Sequence, residues 1–459
     1  MGGLAAVILA AGQSTRMKSK RSKVMYPLAG RPVVSWSIAA AKGCGADRVL
    51  VVRGPGQDDL REYLKSAGVR DVVQRQAFGT ANAVQAASGV LASFSGLVLV
   101  LCGDVPLIRP QTLKAFVAEV KSKGAVVGVL TMTLRDPSSY GRIVRDLDGE
   151  MIRIVEDKDA SEKEKEICEA NSGIICADRA WLFRSLKRVG CKNAKGEFYL
   201  TDLVAAAVGE GLRAVGFNAG PPEDFLGINT RVDLANAARI MRERINVRHM
   251  LAGVGIEDQF NTTIDAGVEI GADTTIMPYS FLLGETRVGA DCTIENGVVL
   301  RDAVVGDGVR INAMSIIEKS AVADGARVGP FARIRPGSKV GPSARVGNFV
   351  ELKKCELKAG AKANHLTYLG DASVGARANI GCGTITCNYD GKAKHLTVIG
   401  EEAFVGSDVQ FIAPVKIGRG SVIGAGSVIT KDVPADSLAV TRAEQKNIKG
   451  WAKKRRGKG

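Results

Sequence analysis

The sequence predicts two folds in series: an α/β domain with a mostly parallel sheet, then a parallel β-helix of hexapeptide repeats. Three observations carry this. Short apolar runs alternate with helical patterns over residues 3–229. From about residue 264 an aliphatic residue recurs every six positions. At 459 residues the chain exceeds one ordinary core, so two or three domains are expected.

In the first part, strands are expected at Ala5–Leu9, Arg48–Val52, Leu97–Leu101 and Val126–Met132, with helices such as Val33–Lys42 and Gln111–Lys121 between them. This alternation is the mark of a doubly wound sheet, whose ligands sit at the carboxyl ends of strands. A single helix is expected over 230–252. Thr230 and Asp233 give the Ser/Thr-x-x-acid start, and Leu234, Ala238, Met241, Ile245 and Arg248 mark one face. The domain boundaries follow: 1–229, a linker helix at 230–252, a β-helix at 253–437 and a basic tail at 438–459.

The hexads run Ile264, Ile270, Ile276, Leu282, Val288, Ile294 and Leu300, then Val322 to Leu352, and after an offset Val374 to Ile423. Glycine often follows the aliphatic, as at Gly271, Gly347 and Gly400. Three hexads per turn give a triangular prism whose stacked coils bury a core that no single coil can. The stretch TCNYDGKAKHLTV between Ile385 and Ile399 fits no hexad and should leave the prism as a loop.

Composition narrows the function classes. Aromatics are only 5% and glycines number 54, which suits thin β-coils. The net charge of +15 favours anionic partners, with a terminal cluster of Lys453, Lys454, Arg455, Arg456 and Lys458. The nine cysteines form no CxxC or Cys/His metal spacing, and Cys382 and Cys387 read as packing residues. A reduced, cytoplasmic setting is expected. No signal peptide and no stretch of the ~18 apolar residues that span a membrane is found.

Two loops at strand ends carry the chemistry of the first half. LAAGQSTRM (Leu9 to Met17) places Gly12 where backbone amides can turn to an anion, with Arg16 and Lys23 beyond. It is neither a P-loop nor a GxGxxG turn. In LCGDVPL, Asp104 follows an apolar strand, a good position for a Mg²⁺ ligand that also bridges phosphates.

Together with SKVMYPLAGRP, FGTANA, SYGRIV, IVEDKDA, EANSGI and GEFYLTD, in that order, these stretches resemble the sugar-phosphate nucleotidyltransferases. Within them the chain is similar to the bifunctional bacterial enzymes that make UDP-N-acetylglucosamine. The resemblance covers about residues 4–442. It implies that Leu9, Ala10, Ala11 and Gly12 with Gln74, Gly79, Thr80 and Gly103 contact UTP. It implies that Gly141, Glu156, Asn171 and Thr201 hold the N-acetylglucosamine, that Asp104 and Asn229 hold Mg²⁺, and that Arg16 and Lys23 neutralise the triphosphate. Ser14 departs from a common second glycine and Cys102 from a common tyrosine.

Histidine occurs three times, at His249, His365 and His395. His249 reads as packing or surface, and His395 has no partner legible in sequence. His365, in ANHLTYLGD, is accompanied by FARIRPG, VGNFVELKK and TITCNYDG, which resemble the acetyltransferase half of the same family. Histidine as a residue type, with an ordinary pKa of about 6.5, suits a base taking a proton from an amine. The resemblance implies His365 as base, with Asn388 or a nearby backbone amide steadying the thioester oxygen. It places Arg335, Lys353, Tyr368 and Asn379 on glucosamine 1-phosphate, and Cys382, Asn388, Tyr389, Ser407, Ala425 and Arg442 along acetyl-CoA. It further implies a left-handed β-helix and a homotrimer with this site between subunits. Two other readings are a single-activity nucleotidyltransferase with a structural β-helix, and a basic nucleic-acid-binding or scaffold protein. The second lacks aromatic stacking stretches or a recognised nucleic-acid module.

Overall fold

The computed structural model describes residues 2–12, 14–218 and 220–457. Gln13 of the first loop and Lys458 of the tail lie outside the described residues. The chain divides into two compact units, Met1–Met241 and Arg242–Gly459.

In the first unit, seven strands lie in the order Ala214–Asn218, Val127–Thr133, Glu169–Asp178, Gly96–Cys102, Gly3–Leu9, Arg48–Arg53 and Arg70–Val73. Gly3–Leu9 runs parallel to both neighbours, with Leu9 level with Val52 on one side and Cys102 on the other. The chain winds outward from this strand in one direction and then crosses to the other, so the switch point lies beside Leu9 and Cys102. Glu169–Asp178 is antiparallel to both its neighbours. That strand, the edge strand Arg70–Val73, the hairpin Arg142–Arg145 with Met151–Val155, and Ala214–Asn218 are additions to the strands read from sequence.

Period-two alternation splits the sheet's side chains between two cores. Ala6, Ile8, Leu99 and Leu101 pack with Val34, Ile38 and Phe116 from the helices Val33–Gly43 and Pro110–Ser122. Ala5, Val7, Val98 and Val100 pack on the opposite face with Val84, Leu182 and Leu203. Fully burying each Val, Leu or Ile contributes ~1.5–3 kcal/mol.

The expected linker helix runs Arg231–Leu251. Its start is reciprocal: the Thr230 hydroxyl accepts from the Asp233 amide at 3.2 Å, and the Asp233 carboxylate accepts from the Thr230 amide at 2.7 Å. The buried face differs from the expected one. It is Ala237, Met241, Ile245, Asn246 and His249, whereas Leu234 and Ala238 are half-buried and Arg248 is exposed. Asn246 is fully buried because its amide donates to the carbonyls of Gln259 and Thr262 at 2.7 and 2.9 Å.

The second unit is the left-handed parallel β-helix. An eleven-stranded ladder forms one face and seventeen strands make the other two. Ile264 lies level with Leu282 and Leu282 with Leu300, eighteen residues per coil. Leu300 is level with Ile317, and Ile317 with Ile334, only seventeen residues on. The repeat is therefore unbroken through 301–321, where Val305, Ile311 and Ile317 are buried. Steps of five residues, from Leu300 to Val305 and from Ile317 to Val322, account for the apparent gap in the hexads.

The corners explain the period. Each coil turns three times through a left-handed residue, as at Phe331, Gly337 and Ser343, then Phe349, Lys354 and Gly360. Glycine after the aliphatic has a separate cause. A Cβ on Gly400 would lie 2.5 Å from the Arg419 amide nitrogen of the next coil. Gly400→Ala should therefore destabilise the β-helix by ~1–3 kcal/mol. Gly89→Ala, with nothing within 4 Å, should stay within about 0.5 kcal/mol of the parent. Urea denaturation of the two variants checks this.

Candidate functional sites

The first site forms at the switch point. Ala10 N donates to Val52 O at 2.8 Å and Gly103 N to Leu9 O at 2.9 Å, pinning both loaded loops to the sheet. Ser14 sits in the left-handed region (φ 57°), which explains why a glycine suits the position. A non-glycine residue costs about 1 kcal/mol there, and the Ser14 hydroxyl offsets this by accepting from Lys23 N at 2.9 Å. Lys23 Nζ meets both Asp104 Oδ2 and Asn229 Oδ1, the latter at 3.0 Å. Arg16 also donates to Asn229 Oδ1, at 2.9 Å. Four of the expected residues, Arg16, Lys23, Asp104 and Asn229, thus form one cluster, although they are spread over more than 200 residues.

That cluster tests the metal expectation. Two hard oxygens, from Asp104 and Asn229, already converge on one cationic point, the Lys23 ammonium. Among the described residues no group of three or more His, Cys, Asp or Glu is placed to cage a metal. A sparse oxygen pair suits Mg²⁺, which is commonly held by one or two protein groups plus substrate phosphates.

A cleft of about 280 Å³ beside the cluster is lined by Leu9, Ala10, Ala11, Gly12, Lys23, Gln74, Gly79, Thr80 and Asp104. Gln74 is buried and held by Gly79 O at 3.2 Å and Asn82 Oδ1 at 2.9 Å. Gly79 needs its glycine: φ is 116°, and a Cβ would lie 2.5 Å from Phe198 O. The four expected sugar contacts fall into two pairs outside this lining. Asn171 N donates to Gly141 O at 2.8 Å, and the Thr201 hydroxyl to Glu156 Oε1 at 3.0 Å. Arg16 and Asn229 line a further cleft of about 350 Å³ with Tyr140. Cys102 also lines the first cleft. Burial, with the Asp104 carboxylate nearby, pushes its thiol up to about 12, so it stays protonated and faces Gly173 O.

The second site lies along one corner of the β-helix. Val346, Ala363, Ile380, Val405 and Ile423 are level in successive coils. Two residues further on, Asn348, His365, Cys382, Ser407 and Ala425 therefore form one column, with Arg442 close to Gly426 at its end. Four residues expected from resemblance alone are thus brought into line by register. His365 is exposed, and its Nδ1 is 2.9 Å from Asn348 Oδ1. An amide oxygen only accepts, so Nδ1 carries the hydrogen and Nε2 keeps its lone pair. Asn348 was not singled out in the sequence, and its signal was only its place in VGNFVELKK.

Around the corner, Lys353 and Tyr368 belong to neighbouring strands and Arg335 directly follows the strand Arg333–Ile334, whereas Asn379 stands on the ladder that bears His365. Arg335 donates to Glu351 at 2.9 Å. The residue missed in the sequence is Lys394. Its amine, hydrogen-bonded to Lys353 and adding a like charge, holds the Lys353 ammonium below the usual lysine range. Lys353, Lys394 and the Glu351-paired Arg335 bring three cations together, an arrangement that suits an anion.

The irregular stretch does leave the prism, but more briefly than expected. Ile385–Cys387 and Thr397–Ile399 remain strands, and the excursion between them is closed by a bridge from Tyr389 to Lys394. Asp390 organises it, accepting from the Lys392 and Ala393 amides and from His395 Nε2 at 2.7 Å. These bonds hold its carboxyl well below the usual range, and they supply the His395 partner that sequence reading lacked. Asn388 is buried, with one amide hydrogen on Asp371 Oδ2. Tyr389 is exposed, with its hydroxyl on Gly391 O.

A Rossmann-like sheet with a cationic switch-point cleft, followed by a β-helix bearing an oriented histidine, defines a two-domain transferase. Residues 6–153 match the MobA-like NTP transferase domain, and 267–302 and 396–431 match the bacterial transferase hexapeptide repeats. The chain is 50% identical to the "Bifunctional protein GlmU" of Geobacter sulfurreducens, covering 99% of this chain and 100% of that one. It is 48% identical to the proteins of that name from Trichlorobacter lovleyi and Geotalea uraniireducens, covering 99% of this chain and 99% and 100% of theirs. The chain belongs to the bifunctional GlmU family. Among the described residues no helix is long and apolar enough to cross a membrane.

Proposed function

We propose that this chain catalyses two successive transfers: acetylation of glucosamine 1-phosphate by acetyl-CoA at the β-helix, then transfer of UMP from UTP to the product at the switch-point cleft. The observation that carries this is the oriented His365, placed in line with Cys382, Ser407 and Ala425 and across a corner from Arg335, Lys353 and Lys394.

In the first transfer, Arg335, Lys353 and Lys394 hold the sugar phosphate with Tyr368 and Asn379. His365 Nε2 takes the proton from the ammonium, and Asn348 fixes the ring in the tautomer that does so. The freed amine attacks the thioester carbonyl, and coenzyme A leaves as the thiol. The developing oxyanion is met by the second amide hydrogen of Asn388 or a nearby backbone N–H. Coenzyme A runs along the Cys382, Ser407 and Ala425 column to Arg442, bordered by Tyr389.

In the second transfer, a phosphate oxygen of N-acetylglucosamine 1-phosphate attacks the α-phosphorus of UTP, and pyrophosphate leaves with the bonding pair. Positioning and charge neutralisation supply the rate, and no protein nucleophile is needed. Leu9–Gly12, Gln74, Gly79, Thr80 and Gly103 hold the uridine part. Gly141, Glu156, Asn171 and Thr201 hold the sugar. Arg16 and Lys23 neutralise the triphosphate. Mg²⁺, held by Asp104 and Asn229, would supply charge neutralisation at the phosphates. The reaction is cytoplasmic and feeds cell-wall precursor synthesis.

A homotrimer completes the second site. Exposed Tyr279, Met314, Phe331, Phe349 and Leu366 occupy left-handed corner positions, and the Phe331 and Phe349 rings stack at 5.4 Å. Bulky apolar residues in that backbone region are costly, and the exposed ridge Met314, Phe331, Phe349 and Leu366, one per successive coil, needs covering. The ridge ends beside His365. Light scattering should show a trimer, and a monodisperse, fully active monomer would refute it.

Free thiol released from acetyl-CoA should require glucosamine 1-phosphate and fall ~10²–10⁴-fold in His365→Ala. UDP-sugar formation from N-acetylglucosamine 1-phosphate should be retained in that variant. Thiol release that survives the substitution would remove His365 from the reaction.

A further inference from the structure

The basic loop that carries Arg16 and Lys23 is joined to the start of the linker helix at two places, and the two joints differ in chemistry. The first lies in the site. Arg16 and Lys23 both donate to Asn229 Oδ1, at 2.9 and 3.0 Å, and Lys23 also meets Asp104. The second lies outside it. Arg231 Nη2 donates to the Tyr26 hydroxyl at 2.8 Å, and the guanidinium carbon stands over the Tyr26 ring, 4.1 Å from its centroid. The same hydroxyl donates to Ser19 Oγ at 2.6 Å. Tyr26 is buried, and neither it nor Arg231 lines the two clefts described above.

Local structure fixes both sides of the second joint. Tyr26 ends the short turn Lys23–Met25, and its carbonyl accepts from Val33 N at 3.0 Å, at the start of the helix Val33–Gly43. Lys23 and Tyr26 therefore belong to one piece of structure. Arg231 opens the helix Arg231–Leu251, and the Asp233 carboxylate accepts from the Asn229 and Thr230 amides at 3.0 and 2.7 Å. Ile228 N donates to Asp104 O at 2.8 Å. Asp104, Asn229 and Arg231 therefore form the opposing piece.

The two joints respond differently to substrate. As nucleotide enters, Arg16 and Lys23 turn to the triphosphate, and the oxygens of Asp104 and Asn229 turn to its cation. The bonds of the first joint are then exchanged for bonds to ligand. The second joint contains none of these groups, so it persists through the exchange.

We propose that Arg231 and Tyr26 form a latch that keeps the basic loop seated against Asp104 and Asn229 when the site is loaded, and that both are positioning residues for uridylyl transfer. This rests on the uridylyl-transfer reading and adds two residues to it. With the latch removed, Arg16 and Lys23 still meet the triphosphate, but from a loop free to shift. Rate in this transfer comes from positioning, so a small displacement of either cation lowers it.

The test compares the full chain with Arg231→Gln, Arg231→Lys, Tyr26→Phe and the double variant Tyr26→Phe with Arg231→Gln. Hydrogen exchange over residues 15–26 is followed without nucleotide and with UTP and Mg²⁺. The parent should keep this segment protected in both states. Arg231→Gln should leave it protected in the free protein, where the first joint survives. With UTP bound, its exchange should rise about fivefold to thirtyfold, the combined effect of losing a ring contact and a hydrogen bond. The kcat for UDP-sugar formation should fall by a similar factor, with KM for UTP little changed. Tyr26→Phe keeps the ring and should lose about twofold to tenfold. Arg231→Lys, which returns a cation to the ring, should recover part of the loss. The double variant should be no worse than Arg231→Gln, because both substitutions break one contact. Acetyl transfer at the other unit serves as the folding control. Exchange that rises equally with and without UTP would overturn the latch, because the contact would then be structural only. Unchanged exchange and kcat in the double variant would also overturn it, while leaving uridylyl transfer by the parent in place. A parent protein that neither binds UTP nor forms a UDP-sugar would remove the uridylyl-transfer reading, and the latch with it.

Discussion

The structure of the second unit depends on one constraint: each coil must stack in register on the last, with aliphatic over aliphatic and corner over corner. Register converts positions that are 17 or 18 residues apart into neighbours, as Asn348 and His365 show. A one-residue slip along a coil would turn its aliphatic residues out of the prism. The same constraint that buries the core therefore also lines up the column proposed here for acetyl transfer. It also explains the left-handed corners, where the chain must turn sharply three times per coil, and the glycines, where successive backbones approach too closely for a Cβ.

The first unit solves a different problem. A parallel sheet presents its strand ends, and the cluster of Lys23, Asp104, Asn229 and Arg16 gathers both signs of charge there. Each buried or half-buried charge has a partner, which offsets the cost of taking it from water. The partners are also the groups that a triphosphate and its cation would engage. The site is thus held together by substitutes for its ligands.

Much of this was legible in sequence because its signals are periodic or local. The hexads, the Thr230–Asp233 cap and the strands Gly3–Leu9, Arg48–Arg53, Gly96–Cys102 and Val127–Thr133 were all visible as spacing. The features that were not visible arise from small departures in length or from polar burial. Five-residue steps at Leu300 and Ile317 hid a continuous repeat. The helix face was misjudged because Asn246 and His249 are buried polar residues, which a hydrophobic pattern discounts. The antiparallel strand Glu169–Asp178 inserts between parallel ones, so sequence order does not reveal its place. In the sites, motif residues were readable by resemblance, but their partners were not. Asn348 becomes a partner of His365 only through coil register. Lys394 reaches Lys353 only because the Asp390 turn folds its loop back.

The central claim is that one chain carries both transfers and that they run in a fixed order. Phosphorus NMR of a reaction with glucosamine 1-phosphate and acetyl-CoA, to which UTP is then added, tests this most directly. The account predicts that N-acetylglucosamine 1-phosphate accumulates first, and that UTP then converts it to UDP-N-acetylglucosamine with one pyrophosphate per sugar. UTP consumption by glucosamine 1-phosphate without acetyl-CoA, or an acetylated sugar phosphate that the same protein leaves unused, would contradict it.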